Sequence, residues 1–255
     1  MTDGLQLIAV PGIPLVRPGD NLADLIVRGL AAAGLAFQDR DVLVLAQKIV
    51  SKSEGRIVDL RTITPSARAE ELALVLQKDP RLIEVILSES RRIVRAVRNV
   101  LIVEHRLGFV MANAGVDQSN VADPNGPPLA LLLPEDPDAS ARRLHEELQQ
   151  RSGCRVGVVI NDSFGRPWRV GTVGVAIGCA GLPAVIDQRG DPDLFGRTLQ
   201  TTVVAYADEI AAAASLLMGQ ADESRPAILV RGLAPEKAPQ TARALLRPGN
   251  EDLFR

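Results

Sequence analysis

Short apolar runs alternate with polar turns along the chain, and their spacing sorts them into strands and helices. Leu5 to Val10 is an apolar run of strand length that enters Pro11-Gly12-Ile13-Pro14-Leu15. The two prolines there forbid ladder pairing on both sides and predict a rigid loop. Behind Asp20, the expected cap, Leu22, Leu25, Ile26 and Leu30 recur at helical spacing. Asp41 to Ala46 reads as a buried strand. Thr64-Pro65 is the signature of a cap followed by proline at the first helical position, with Ala69, Leu72, Ala73 and Leu76 as the inward stripe. After Asp79-Pro80 the spacing predicts a second helix over Pro80 to Val97, with Leu82, Ile86, Ile93 and Val97 inward and Arg91, Arg92, Arg95 and Arg98 on a solvated face.

The second half continues with a hairpin, Val100 to Val103 and Phe109 to Ala112 around Gly108, and then a connecting loop rich in Pro, Asp and Gly over Asp123 to Pro137. Asp138 is the expected cap of a helix bearing Ala141, Leu144 and Leu148, stopped by Gly153. Strands follow at Val156 to Ile160, Thr172 to Ile177 and Leu199 to Ala205, then a helix from Asp208 to Met218 closed by Gly219, and a last strand at Ile228 to Val230. Hairpins mixed with helices, without steady alternation, predict an α+β fold with mixed, largely antiparallel sheets and flanking helices.

Composition narrows the field. The 255 residues are 46% hydrophobic and 24% charged, which suits a globular chain with a real core. A net charge of -2 and 3% aromatic residues offer no electrostatic footprint for nucleic acid and no stacking platform. Two cysteines and two histidines exclude Cys/His zinc spacings and a disulfide framework, so any metal must sit on oxygen ligands. Met1 to Leu7 has no basic leader, and no apolar run reaches membrane-spanning length, so a cytoplasmic protein without a membrane partner is expected.

No P-loop and no dinucleotide fingerprint is present. Three polar segments remain. Asn113 to Asn120 follows an apolar strand and offers Asp117 and Asn120 as oxygen donors of the kind Mg²⁺ or Mn²⁺ accepts, although an Asx-turn capping the strand explains the same residues. Asn161 to Arg169 reads as a second polar elbow, with Asp162 and Ser163 for a cation and Arg166 and Arg169 for phosphate or carboxylate. Gln47 to Arg56 is a basic stretch after a strand; Lys52 and Arg56 suit a phosphate, and a solvated surface suits the same charges. Gly171, Gly174, Gly178 and Gly181 suit a ligand approaching the backbone closely, and close strand packing explains the same residues better.

Taken in order, Gly12-Ile13-Pro14-Leu15, Ile49 to Arg56, Ala112 to Asn120, Asn161 to Arg166, Gly171 to Gly181, Asp193 to Arg197 and Ala207 to Gly219 resemble the coenzyme F420-0:L-glutamate ligase family over nearly the whole chain. The resemblance implies a GTP-dependent ligase that joins L-glutamate to the lactyl carboxylate of F420-0 through an acyl phosphate, and then extends a γ-linked chain. It also implies an intertwined homodimer of two interlocked subdomains, the larger formed by 1–98 and 165–255 and the smaller by 99–164. Two Mg²⁺ or Mn²⁺ ions are expected on Asp117, Asp162 and Ser163, with K⁺ as an accessory ion. Nucleotide contacts fall on Gly12, Ile13, Pro14, Leu15, Gln47, Lys48, Lys52 and Asn120, and on the segment after Met218. Lys52 and Arg166 are the expected catalytic charges, and Arg169 the expected substrate contact. Gln47 and Lys48 stand where a pair of small hydroxyl residues is expected, and Ser163 where a threonine is expected. Ending at Arg255, the chain is expected to carry no reductase domain. The competing readings are a metal-dependent nucleotide hydrolase or ligase with another acceptor, and a non-catalytic nucleotide- or deazaflavin-binding protein.

Overall fold

The computed structural model describes residues 4–121, 126–233 and 237–252. Twelve strands are described: β1 (Gln6–Ala9), β2 (Val42–Ala46), β3 (Ile57–Asp59), β4 (Ser90–Val97), β5 (Val100–His105), β6 (Val110–Ala112), β7 (Leu129–Leu131), β8 (Gly157–Arg166), β9 (Arg169–Ala180), β10 (Ile186–Asp187), β11 (Val203–Val204) and β12 (Ala227–Arg231). The helices are α1 (Leu22–Ala32), α2 (Gln47–Ser53), α3 (Ala67–Leu76), α4 (Pro80–Ser88), α5 (Pro137–Ser152) and α6 (Tyr206–Met218). The fold is α+β, as the pattern predicts.

The central sheet has the order β1-β12-β2-β8-β9, antiparallel except where β2 and β8 run side by side in parallel. Both faces are covered, so its strands read as continuous apolar runs. Leu43, Leu45, Val158 and Ile160 face α1 and α5, while Val42, Val44, Val159 and Ile228 face α6. Residues between Leu60 and Leu132 build a third core, in which Leu72 and Leu76 of α3 and Ile83 and Ile86 of α4 pack against Leu101 and Val103 of the β4-β5-β6 sheet.

Several local expectations are corrected. The helix expected over Pro80 to Val97 stops at Ser88, and Ser90–Val97 is β4. Two bulges, between Ser90 and Arg92 and between Ile93 and Arg95, space the less exposed residues Ser90, Ile93 and Ala96 three apart. A doubly bulged strand therefore copies helical periodicity. Caps shift by one or two residues: Asn21 rather than Asp20 caps α1, Ser66 rather than Thr64 caps α3, and Asp136 rather than Asp138 caps α5. In each case the true cap is the residue whose side chain reaches the amide three positions on. Asp138 is instead buried and accepts from the amides of Cys179 (3.0 Å) and Ala242 (2.8 Å). The loop expected over Asp123 to Pro137 contains β7, and residues 123–125 of it lie outside the described residues. The strand expected over Leu199 to Ala205 shortens to Val203–Val204. Among the described residues no helix is long and apolar enough to cross a membrane.

Candidate functional site

Strand direction decides where the polar segments meet. β12 is antiparallel to both β1 and β2, and β2 is parallel to β8, so β1, β2 and β8 all point the same way. Their carboxyl ends share one edge, where open sheets present ligand sites. The Gly12 to Leu15 loop leaves β1 there, α2 leaves β2, and the segment 219–226 enters β12 there. The last paired residues of β2 and β8 are Ala46 and Asn161, so from Asp162 onward β8 runs past β2 and pairs only with β9.

The two polar stretches read as loops turn out otherwise. Gln47 to Ser53 is the helix α2, which sets Lys48 and Lys52 one turn apart on one face. Asn161 to Arg166 continues β8, and the chain turns at Pro167 and Trp168. Asp162 therefore stands on a strand, a stiffer mount than an elbow.

Asp117 arrives from the third core. Asn113, Ala114 and Gly115 hold φ of 52°, 52° and 67°, a left-handed turn that only glycine adopts without penalty. Lys78 donates to Asn113 Oδ1 at 2.9 Å, and a backbone bridge ties Asp117 to Leu131. Asp117 Oδ1 accepts the Ser119 amide at 2.7 Å, so the Asx-turn is present. The same carboxylate faces outward to Lys48, whose Nζ lies 2.7 Å from Asp117 Oδ2 and also donates to Ser119 Oγ at 2.7 Å. Lys52 Nζ donates to the Asn120 carbonyl at 2.6 Å, and Asn120 Nδ2 to the Ala221 carbonyl at 3.2 Å. Ser163 Oγ donates to Gln220 Oε1 at 2.6 Å. Lys48, Lys52, Asp117, Asn120, Asp162 and Ser163 thus meet from three stretches of chain far apart in sequence.

The electrostatics are uneven. Burial pushes Asp162 up, the nearby Asp117 charge adds to this, and the Ser163 amide and the charge of Lys48 only partly offset it, leaving Asp162 at about 7. Burial also raises Asp117, but the hydrogen bonds from Lys48 and Ser119 outweigh it and hold the carboxyl below its usual range. Lys52 is lowered by burial and then by the charge of Lys48.

The other expected residues stand apart. Gln47 is buried and its Oε1 accepts from Ser51 Oγ at 2.9 Å, a bond internal to α2. Ile13 packs against the core beneath α1, while Leu15 is exposed; the loop shares the sheet edge without a hydrogen bond to the lysines or carboxylates among the described residues. Arg166 lies four residues beyond Asp162, roughly 13 Å along the strand. Its Nη1 is buried without a partner among the described residues. Arg169 is exposed across the turn. Ser119, Lys78 and Gln220 join the site without having been named individually; Gln220 lies in the segment after Met218 expected to contact nucleotide.

Fold and site together define an α+β protein with two aspartates, a hydroxyl and two ammonium groups gathered at a strand edge, a donor set for phosphate oxygens and hard cations. The model of the F420-0:gamma-glutamyl ligase family matches residues 12–232, and the chain belongs to that family. It is 48% identical over 254 residues to the coenzyme F420:L-glutamate ligase of Methanothermobacter thermautotrophicus, covering 99% of each chain. It is also 48% identical over 259 residues, with the same coverage of each chain, to the protein of that name from Methanopyrus kandleri. To the one from Archaeoglobus fulgidus it is 42% identical over 229 residues, 90% of this chain and 88% of the relative.

Proposed function

We propose that this protein is a GTP-dependent ligase of coenzyme F420 biosynthesis, forming an amide between the lactyl carboxylate of F420-0 and L-glutamate and then adding γ-linked glutamates. The observation that carries this reading is the convergence of Asp117, Asp162 and Ser163 with Lys48 and Lys52 at one strand edge. The names of relatives aligned over nearly their whole length support it.

A carboxylate does not react with an amine until it is activated. In the proposed reaction an oxygen of that carboxylate attacks the γ-phosphorus of GTP and GDP departs, leaving an acyl phosphate. The glutamate amine then attacks the acyl carbon, phosphate departs, and the nitrogen gives up a proton. Such a reaction depends on positioning and charge neutralisation rather than on an enzyme nucleophile. Lys52, released from the Asn120 carbonyl, would pair with phosphate oxygens, and Lys48 would hold Asp117 in register. Asn120 and the Gly12 to Leu15 loop would border the nucleotide.

The donor set fits a hard divalent cation. Among the described residues Asp162 receives one amide bond and no bond from a cationic side chain, and Ser163 adds a hydroxyl next to it. Among the described residues no group of three His, Cys, Asp or Glu assembles, so phosphate and water oxygens would complete the shell. Asp117, Asp162 and Ser163 would hold Mg²⁺ or Mn²⁺, which supplies charge neutralisation across the phosphate oxygens. K⁺ belongs to the proposal without an assigned residue. A homodimer also belongs to it, supported by Trp168, Val170, Leu194 and Phe195, which are all exposed.

The test is to incubate the protein with GTP, Mn²⁺, L-glutamate and F420-0 and follow the deazaflavin by mass spectrometry. Glutamyl additions are the expected result and also count the chain. GTP hydrolysis with unchanged deazaflavin mass would overturn the assignment in favour of another acceptor.

A further inference from the structure

A second concentration of charge lies away from the carboxylate-lysine cluster and shares no residue with it. The turn between β5 and β6, the start of β4 and the segment 243–249 border an open cavity of about 370 Å³ lined by Arg91, Arg106, Arg243 and Arg247. Among the described residues Glu104 is the only acidic one in the lining. The chain as a whole carries -2, so this local excess of positive charge runs against its overall balance.

The arginines are brought together by specific packing. Gly108 has φ +98°, and a Cβ there would lie 3.0 Å from Leu246 Cδ1, so its missing side chain lets Leu246 seat against the β5-β6 turn. The amide of Ala242 is tied to the buried Asp138 at 2.8 Å. These two anchors fix the segment that carries Arg243 and Arg247 opposite β4. Arg106 is itself oriented, donating to Glu89 Oε2 at 3.0 Å and to the Glu135 carbonyl at 3.1 Å. Glu104 takes Arg92 at 2.7 Å and stands 3.8 Å from Arg91. Arg243 and Arg247 make no side-chain hydrogen bond or ion pair among the described residues.

Glu89 offsets Arg106 and Glu104 stands near Arg91, so the charge left without a carboxylate among the described residues is that of Arg243 and Arg247, which repel one another and their neighbours unless an anion joins them. Arginine forks match the oxygens of phosphates and carboxylates in paired hydrogen bonds. The volume exceeds what one small anion fills. We propose that this cavity is a second anion site, distinct from the strand-edge cluster, that takes a ligand bearing two or more oxyanion groups, phosphate or carboxylate. The assignment is independent of the reaction performed at the other site.

Calorimetric titration in metal-free buffer with inorganic pyrophosphate, citrate and acetate tests it, on the wild type, the Arg243→Ala/Arg247→Ala variant and Lys52→Ala. The wild type is expected to bind pyrophosphate, citrate or both, with acetate much weaker. The double variant is expected to bind at least about tenfold more weakly, the loss of charge-assisted hydrogen bonds. The binding that the double variant loses is expected to persist in Lys52→Ala, whatever share of pyrophosphate the strand-edge cluster takes, and added salt to weaken it. Pyrophosphate alone would make the natural ligand a polyphosphate, citrate alone a polycarboxylate. Equal affinity in wild type and double variant, loss in Lys52→Ala instead, or no binding tighter than about 1 mM would each overturn the proposal. Should the double variant fail to fold, Arg247→Gln alone reads the same change.

Discussion

Asp162 at the strand edge and Glu89 at the end of α4 are both carboxylates drawn away from bulk water, and their titration diverges in opposite directions. Burial pushes each upward. For Glu89 the neighbouring His105 ring, the Arg106 hydrogen bond and the charges of Arg106 and Arg56 more than reverse it, bringing the group to about 2. The ring of His105 is fully buried; its Nδ1 accepts the Leu107 amide at 2.9 Å, which leaves Nε2, 3.4 Å from Glu89 Oε2, to carry the ring proton. Asp162 has one amide donor and a second carboxylate for a neighbour, and rises to about 7. Enclosure is shared; donor supply is not. The fold provides paired cations where a carboxylate ties the third core to the central one, and among the described residues bonds none to Asp162.

The largest expected break in this contrast is Asp162→Ala, which should lower glutamylation by about 10³-fold with the far-UV spectrum unchanged. Added Mn²⁺ should raise the melting temperature of the wild type and not of the variant; retained turnover would remove Asp162 from the site. Next, Glu89→Gln leaves Arg56 and Arg106 without their anion and should cost about 2–3 kcal/mol by urea denaturation at pH 7.

The same two residues give opposite pH signatures. Glu89 falls from its ordinary 4.5 to about 2 on folding, so its contribution is complete above the first value and is lost as pH drops toward the second. Wild type and Glu89→Gln should therefore converge in stability across that window. Asp162 rises from 3.8 to about 7, so its contribution is present below 3.8 and lost as pH climbs through 7. Without metal, Asp162→Asn should gain on the wild type over that climb, and parallel curves would refute the contrast.

Smaller effects sharpen the account of how Asp117 is delivered. Gly115 has φ +67°, and a Cβ there would lie 2.8 Å from Leu133 side-chain atoms. Gly115→Ala should cost about 1–3 kcal/mol and reduce turnover through Asp117, measured by denaturation and steady-state kinetics together. Smallest is the stability change of Arg169→Ala: at a position exposed beyond the turn, it should be less than about 0.5 kcal/mol, while a raised KM for F420-0 in steady-state kinetics is the result expected of a substrate contact.

Much was legible before any geometry. The central strands, the hairpin around Gly108, the helix stops at Gly153 and Gly219, and the three polar segments all follow from apolar run length, glycine punctuation and the chemistry of side chains. The bulged β4 was not, because bulges substitute a spacing of three for the strand's two. Nor was the mount of Asp162, since a strand that outruns its neighbour has no signature in its own residues.

Residue type and the order of the motifs singled out the candidates, Lys48, Lys52, Asp117, Asn120, Asp162 and Ser163. Their meeting was decided only in three dimensions. β1, β2 and β8 had to run the same way for their ends to share an edge, and a left-handed turn held by Lys78 had to carry Asp117 across to Lys48. The pairing of Gln220 with Ser163 and of Leu246 with Gly108 likewise belongs to the tertiary structure. Periodicity reports the environment along one element, whereas strand order, charge enclosure and the supply of donors depend on segments a hundred residues distant.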